Sequence, residues 1–234
     1  AQISSRHTAN IMKHMFGQLY SVDETGAIVP NLAESYTISE DGKEYTFTLK
    51  SGLTCHDGEA LTAEDAAYSF NRVADPEMAF TGNSAGFVYK SIDFKEARAD
   101  SERDVTIVLG GPNHIALGLI AEVYVHCKDS YEKMSKEEAA TNPIGSGPYE
   151  FVKWDKGSQI VMKKAANPPI PTNFENIIWR VIPEASTRTA ELIAGNVDMI
   201  TNASPDQVEA IDASSTASVA KVQGTRRMYV GYHQ

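Results

Sequence analysis

The stretch from Tyr45 to Asn71, YTFTLKSGLTCHDGEALTAEDAAYSFN, restricts the fold of this 234-residue chain more than any other. Tyr45, Phe47 and Leu49 alternate with Thr46, Thr48 and Lys50, the period of a strand with one face buried. Ser51-Gly52 interrupts the alternation. His56-Asp57-Gly58 predicts a tight turn in which glycine takes φ > 0. Thr62 stands where an N-cap belongs, with Asp65 three residues on and able to reach back to its amide. Behind it Ala63, Ala66, Ala67 and Phe70 fall at i, i+3, i+4 and i+7, so one helical face is apolar. The stretch reads as strand, turn, second turn and capped helix.

The flanking segments carry weaker signals of the same kind. Ile11, Met12, Met15, Phe16 and Leu19 form one stripe, which predicts an amphipathic helix over residues 8–20 with its methionines in the core. Short strands are predicted at Ala27–Val29 and Tyr36–Ile38, with a hairpin turn at Asp41-Gly42. Asp75-Pro76 ends the Thr62 helix, because the residue before proline leaves the helical region. Further on the pattern predicts strands at Asp104–Leu109, Val123–Val125, Tyr149–Trp154, Gln159–Lys164 and Ile177–Ile182. Helices are predicted over 114–121, 129–140 and 185–194, the last closed by Gly195 at C′, and Ser204 caps another that Pro205 begins. Strands at Val197–Ile200, Val219–Gln223 and Arg227–Gly231 complete the reading. The alternation of strands with short helices makes this an α/β lobe around a mixed sheet.

A net charge of −10 argues against nucleic acid or anionic lipid as partner, since both demand basic patches. No window approaches 18 consecutive apolar residues, the least that spans a bilayer. The N-terminus, AQISSRHTAN, lacks the basic and apolar blocks of a signal peptide. The two cysteines, Cys55 and Cys127, are read as buried unpaired thiols, with one disulfide as the alternative.

No catalytic constellation emerges. There is no G-x-S-x-G, no H-E-x-x-H and no C-x-x-C, and Gly145-Ser146-Gly147 lacks the lysine of a phosphate loop. Cys55-His56 and His126-Cys127 put soft ligands side by side, but neighbours on a strand face opposite ways, so no metal site is assigned. Two loops combine small residues with aromatics or openings: Phe80 to Tyr89, which also holds Phe87, and Gly145-Ser146-Gly147. Phe80, with Thr81 and Asn83 as polar company, is the predicted ligand contact.

Several segments resemble one family. LTCHDGEALTAEDAAYSFNRVADPE, the upstream NLAESYTISEDGKEYTFTLKSGL, the Pro143–Tyr149 segment and IIWRVIPEASTRTAELIAGNVDMI are similar to the periplasmic solute-binding proteins of peptide and nickel ABC importers. These are the bacterial extracellular solute-binding proteins, family 5. Ser146 stands where that family usually has Thr, and KAANPPIPTNFENI keeps Asn167-Pro168 but lacks the usual Tyr-Trp.

The resemblance implies a two-lobed periplasmic-binding-protein-like (type II) fold, of which this chain is the N-terminal lobe and the second lobe is absent. It implies a subdomain over 34–141 inserted into a main subdomain made of 1–33 and 142–234. It also implies a monomer with no enzymatic activity and no cofactor, located in the periplasm or another extracytoplasmic, membrane-associated site. Such a protein binds a peptide or similar small solute and delivers it to an ABC permease in the inner membrane. The same resemblance points to the Phe80 loop as a cleft loop. The rival readings are a hydrolase or transferase on an α/β sheet, which needs a nucleophile and base absent here, and an interaction module that kept the fold.

Overall fold

The computed structural model describes residues 6–78 and 84–221. The chain divides into two compact units, with the division falling between Trp179 and Arg180.

The first unit is built on the Tyr45–Asn71 module. Strand β4 (Glu44–Leu49) buries Tyr45, Phe47 and Leu49 and turns the residues between them outward, as its alternation requires. Helix α2 (Ala63–Ala74) buries Ala63, Ala66, Ala67 and Phe70 in the same cluster. The side chains of Phe47 and Phe70 have no exposed surface. Burying each of them stabilises the unit by about 2–3 kcal/mol. Strand β4 is flanked by β3 (Ala33–Ile38) and β6 (Asp104–Leu109), and β5 (Phe94–Ala99) completes a four-stranded antiparallel sheet in the order β3-β4-β6-β5. Tyr36 pairs with Phe47, Phe47 with Val105 and Ala97 with Ile107.

Before the sheet come α1 (Arg6–Met15) and a small antiparallel pair, β1 (Tyr20–Val22) with β2 (Ile28–Pro30). The helix is shorter than its apolar stripe, because Gly17 presses against Leu32 and the chain turns to pair Gln18 with Tyr124. Met12, Met15 and Phe16 pack with Tyr124, Tyr149 and Met162 in a second core cluster, so the methionines are core residues as read from the stripe. After β6 come α3 (Ala116–Ile120), α4 (Lys128–Lys133) and α5 (Lys136–Thr141). The helix expected over 129–140 is thus two, because Met134 is extended and Ser135 starts afresh with its own capping box to Glu138. Val123–Val125 is not a strand but a single bridge.

A third sheet holds β7 (Tyr149–Asp155), β8 (Gln159–Lys164) and β9 (Asn176–Arg180), with β7 and β8 antiparallel. The expected α/β lobe is therefore present, with its strands shared among three sheets rather than one.

The second unit, described to Lys221, contains α6 (Ala185–Ile193), a helical turn at Pro205–Gln207 and α7 (Val208–Asp212). Gly195 ends α6 at φ +74° and Pro205 opens its turn, both as expected, while Ser204 stands at the N-cap position without the side-chain capping bond expected of it. The Thr189 hydroxyl hydrogen-bonds the Gln207 side-chain amide at 2.7 Å. Val197–Ile200 and Val219–Lys221 are not strands. The remainder of Val219–Gln223 and all of Arg227–Gly231 lie outside the described residues.

Candidate functional site

The turn that follows β4 is the hub of the first unit. Gly58 sits at φ +90°, as the His56-Asp57-Gly58 turn demands. Cys55 is joined to Cys127 by a disulfide (S–S 2.05 Å, Cα–Cα 6.2 Å), which overturns the reading of both as unpaired thiols. Nothing in the local sequence marks the pairing, since it depends on two segments 72 residues apart being folded against each other. With both sulfurs in the bond, the Cys-His pairs cannot supply thiolate ligands to a metal.

His56 meets a second distant segment. Its backbone N–H donates to the Gly145 carbonyl at 2.9 Å, its Nε2 lies 2.9 Å from the Gly147 carbonyl, and its Nδ1 is 3.2 Å from the Gly145 amide. Between them Ser146 is buried. Its hydroxyl donates to the Val125 carbonyl at 2.7 Å and accepts from the Gly17 amide at 3.0 Å. A Cβ on Gly145 would stand 1.9 Å from the Met15 carbonyl oxygen, and one on Gly147 would meet the backbone of residues 14–16 within 2.7 Å. The Gly145-Ser146-Gly147 connection is glycine-rich so that backbones can touch, and all three of its residues are buried.

His126 lies beside this hub with its ring between Phe16 (4.7 Å) and Tyr131 (5.0 Å), and its Nδ1 has no hydrogen-bond partner among the described residues. Burial holds its pKa well below the ordinary histidine value, and the Arg72 charge pushes the same way. His56 is also held low by burial, partly offset by its bond to Gly147. The Tyr131 phenol is pushed up to about 12, chiefly by burial.

The predicted contacts Phe80, Thr81 and Asn83 lie outside the described residues. The segment that follows them is described from Ser84 as a single π-helical turn, Ser84–Tyr89. Tyr89 is core: its ring packs 4.7 Å from Phe94, its hydroxyl donates to the Phe70 carbonyl at 2.9 Å, and burial raises its pKa. Phe87 is 57% exposed, so of the two described aromatics in this segment only Phe87 is free to meet a ligand. Val88 and Ile92 anchor the segment in the same cluster.

The chain belongs to the bacterial extracellular solute-binding proteins, family 5, whose middle region matches residues 27–234. It is 26% identical over 233 residues to the dipeptide-binding protein of Escherichia coli (strain K12), covering 89% of this chain and 43% of that protein. It is 29% identical over 190 residues to the glutathione-binding protein GsiB of the same strain, covering 79% and 36%. Among solved structures, the periplasmic binding protein DppA from Helicobacter pylori in complex with the peptide STSA shares the fold, with a TM-score of 0.80 at 24% identity. That match covers 90% of this chain and 45% of the other. The chain spans less than half the length of the curated relatives it matches. Among the described residues no helix is long and apolar enough to cross a membrane.

Proposed function

We propose that this chain is the first lobe of the substrate-binding component of an ABC importer, which binds a peptide or similar small solute reversibly and delivers it to a permease in the inner membrane. The family match over residues 27–234 carries this reading. The dipeptide- and glutathione-binding names of its relatives favour a small peptide-like ligand over a substrate that is turned over. The Cys55–Cys127 disulfide supports an oxidising compartment, the periplasm or its extracytoplasmic equivalent. The protein acts as a monomer, without cofactor.

Phe80, Thr81 and Asn83 are proposed as ligand contacts, an assignment supported by their position in an aromatic-bearing loop whose downstream end is fixed in the core. The inserted subdomain over 34–141, within a main subdomain of 1–33 and 142–234, is proposed from the family resemblance; the core cluster of the first unit draws on both sides of its start, joining Leu19, Tyr20, Leu32 and Ala33 to the residues of the four-stranded sheet. Calorimetry with defined di- and tripeptides and glutathione, followed by mass spectrometry of the recovered ligand, tests the function. Saturable binding with the ligand recovered intact supports transport, and cleavage of the ligand overturns it in favour of a hydrolase.

A further inference from the structure

A cleft of about 650 Å³ runs along the flank of α2 beside the outer edge of β5. Its walls carry three cations, Arg72, Arg98 and Lys128, and two carboxylates, Glu64 and Asp75. Two of the cations are already engaged. Arg98 forks onto Glu44 at 2.8 and 3.3 Å and reaches Asp100 at 3.0 Å, while Lys128 reaches Glu64 at 3.4 Å.

Arg72 is different. Among the described residues its guanidinium makes no hydrogen bond or ion pair, and its Nε is buried without an acceptor. It rests instead on aromatic faces, 5.4 Å from the Tyr131 ring and 6.0 Å from that of Tyr68. A guanidinium cannot shed its proton, so burial cannot relieve it by neutralisation as it does His126. A half-buried cation with unfilled donors is the arrangement that an anion with paired oxygens completes.

The surroundings narrow the choice of anion. With Arg98 and Lys128 already facing carboxylates, Arg72 is the one cation of the wall left without an anionic partner among the described residues, which suits a monoanion, while Glu64 and Asp75 oppose a dianionic phosphate. Ala67, Met78 and Ala97 supply apolar wall for a short hydrocarbon body. An added peptide strand is disfavoured, because the Asn71 side-chain amide already bonds both the N–H and the C=O of Ala97 on the edge of β5, at 2.8 and 2.7 Å. We propose that this cleft is a second binding site, separate from solute transport, for a small monocarboxylate with a short apolar tail, gripped by the Arg72 guanidinium.

The test is an amide-resolved NMR titration of the whole chain with sodium butyrate at constant ionic strength, with butyramide and inorganic phosphate as controls. Saturable shifts at Ala97, Ala99 and the Arg72 Nε–H are expected with butyrate. Butyramide, and butyrate on R72Q, should bind at least about tenfold more weakly, the loss of one charge-assisted bidentate contact. R72Q should keep whatever peptide affinity the wild type shows, which separates this site from transport. If R72Q fails to fold, the butyrate–butyramide comparison on the wild type decides alone. No saturable shift with butyrate, equal binding of butyramide, or phosphate binding as tightly as butyrate would overturn the proposal.

Discussion

The Nε2 of His56 lies 2.9 Å from the carbonyl oxygen of Gly147, while its Nδ1 faces the amide of Gly145 at 3.2 Å. An amide N–H can only donate, so Nδ1 must offer its lone pair and Nε2 must carry the proton. The ring is held as one neutral tautomer, and protonation would set an N–H against an N–H.

This arrangement makes stability fall in mild acid. His56 and His126 both have folded pKa values below the ordinary one, so the unfolded chain takes up protons first as the pH drops past about 6.5. Their stability contribution is complete above that pH and is lost on going down toward the folded values. Each histidine adds a slope of up to about 1.4 kcal/mol per pH unit in that window. Urea midpoints at pH 7.5, 6.5 and 5.5 should decline, and H126Q should shallow the decline. A midpoint constant down to pH 5.5 would contradict the account.

Glycine substitutions should rank by what their Cβ meets. Gly58 has a positive φ but open space around it, so G58A costs about 1–2 kcal/mol of backbone strain. G145A drives a methyl into the Met15 carbonyl, which is backbone and cannot swing aside, and should cost about 2–4 kcal/mol. Denaturant unfolding of the two variants checks the order; G58A proving the worse would refute it.

The disulfide closes a loop across 72 residues of sequence. Chain-entropy reasoning puts its contribution at about 4 kcal/mol, with about 2–4 kcal/mol as the usual measured range. Thermal melts with and without reductant, and of the C55A/C127A double variant, should show matching losses. A reduced protein as stable as the oxidised one would remove the disulfide from the account of what holds the first unit together.

Asp65 ties two helix starts together. One carboxylate oxygen accepts from the Thr62 amide at 2.7 Å and its hydroxyl at 3.1 Å, and the other from the Lys128 amide at 2.8 Å. D65A leaves these donors without an acceptor and should cost about 2–3 kcal/mol, more than T62A, which removes a single one of the three bonds. Equal losses in the two variants would mean that the bonds from the Thr62 and Lys128 amides together contribute nothing.

Phe80 is tested through binding. F80A should weaken peptide affinity by about 1–3 kcal/mol with little change in melting temperature, as expected of an aromatic ligand contact. Lost stability with unchanged affinity would make it a core residue instead.

What the sequence disclosed follows the range of each interaction. The β4–α2 module was legible because its signals, alternation, turn glycine and cap, act within a few residues. The same holds for Gly195 and for the methionine stripe of α1. The pairing of Cys55 with Cys127 and the burial of Ser146 were not legible, since both depend on segments that meet only in the folded chain. The strand expected at Val197–Ile200 failed for a related reason: four residues of suitable type make a strand only where a neighbour accepts their hydrogen bonds. For the site, the sequence marked an aromatic-bearing loop and could not sort its members. Tyr89 was claimed by the core while Phe87 was left outside.

The Gly145–Gly147 connection also sets an order of events during folding. The Gly17 amide waits for a hydroxyl 129 residues downstream, and the His56 ring for a carbonyl 91 residues downstream. Until residue 147 has been synthesised, the hairpins of the four-stranded sheet have partners within reach while these groups have none. Late, long-range closure of this kind slows folding. A growing chain therefore commits its first unit only when the start of β7 arrives.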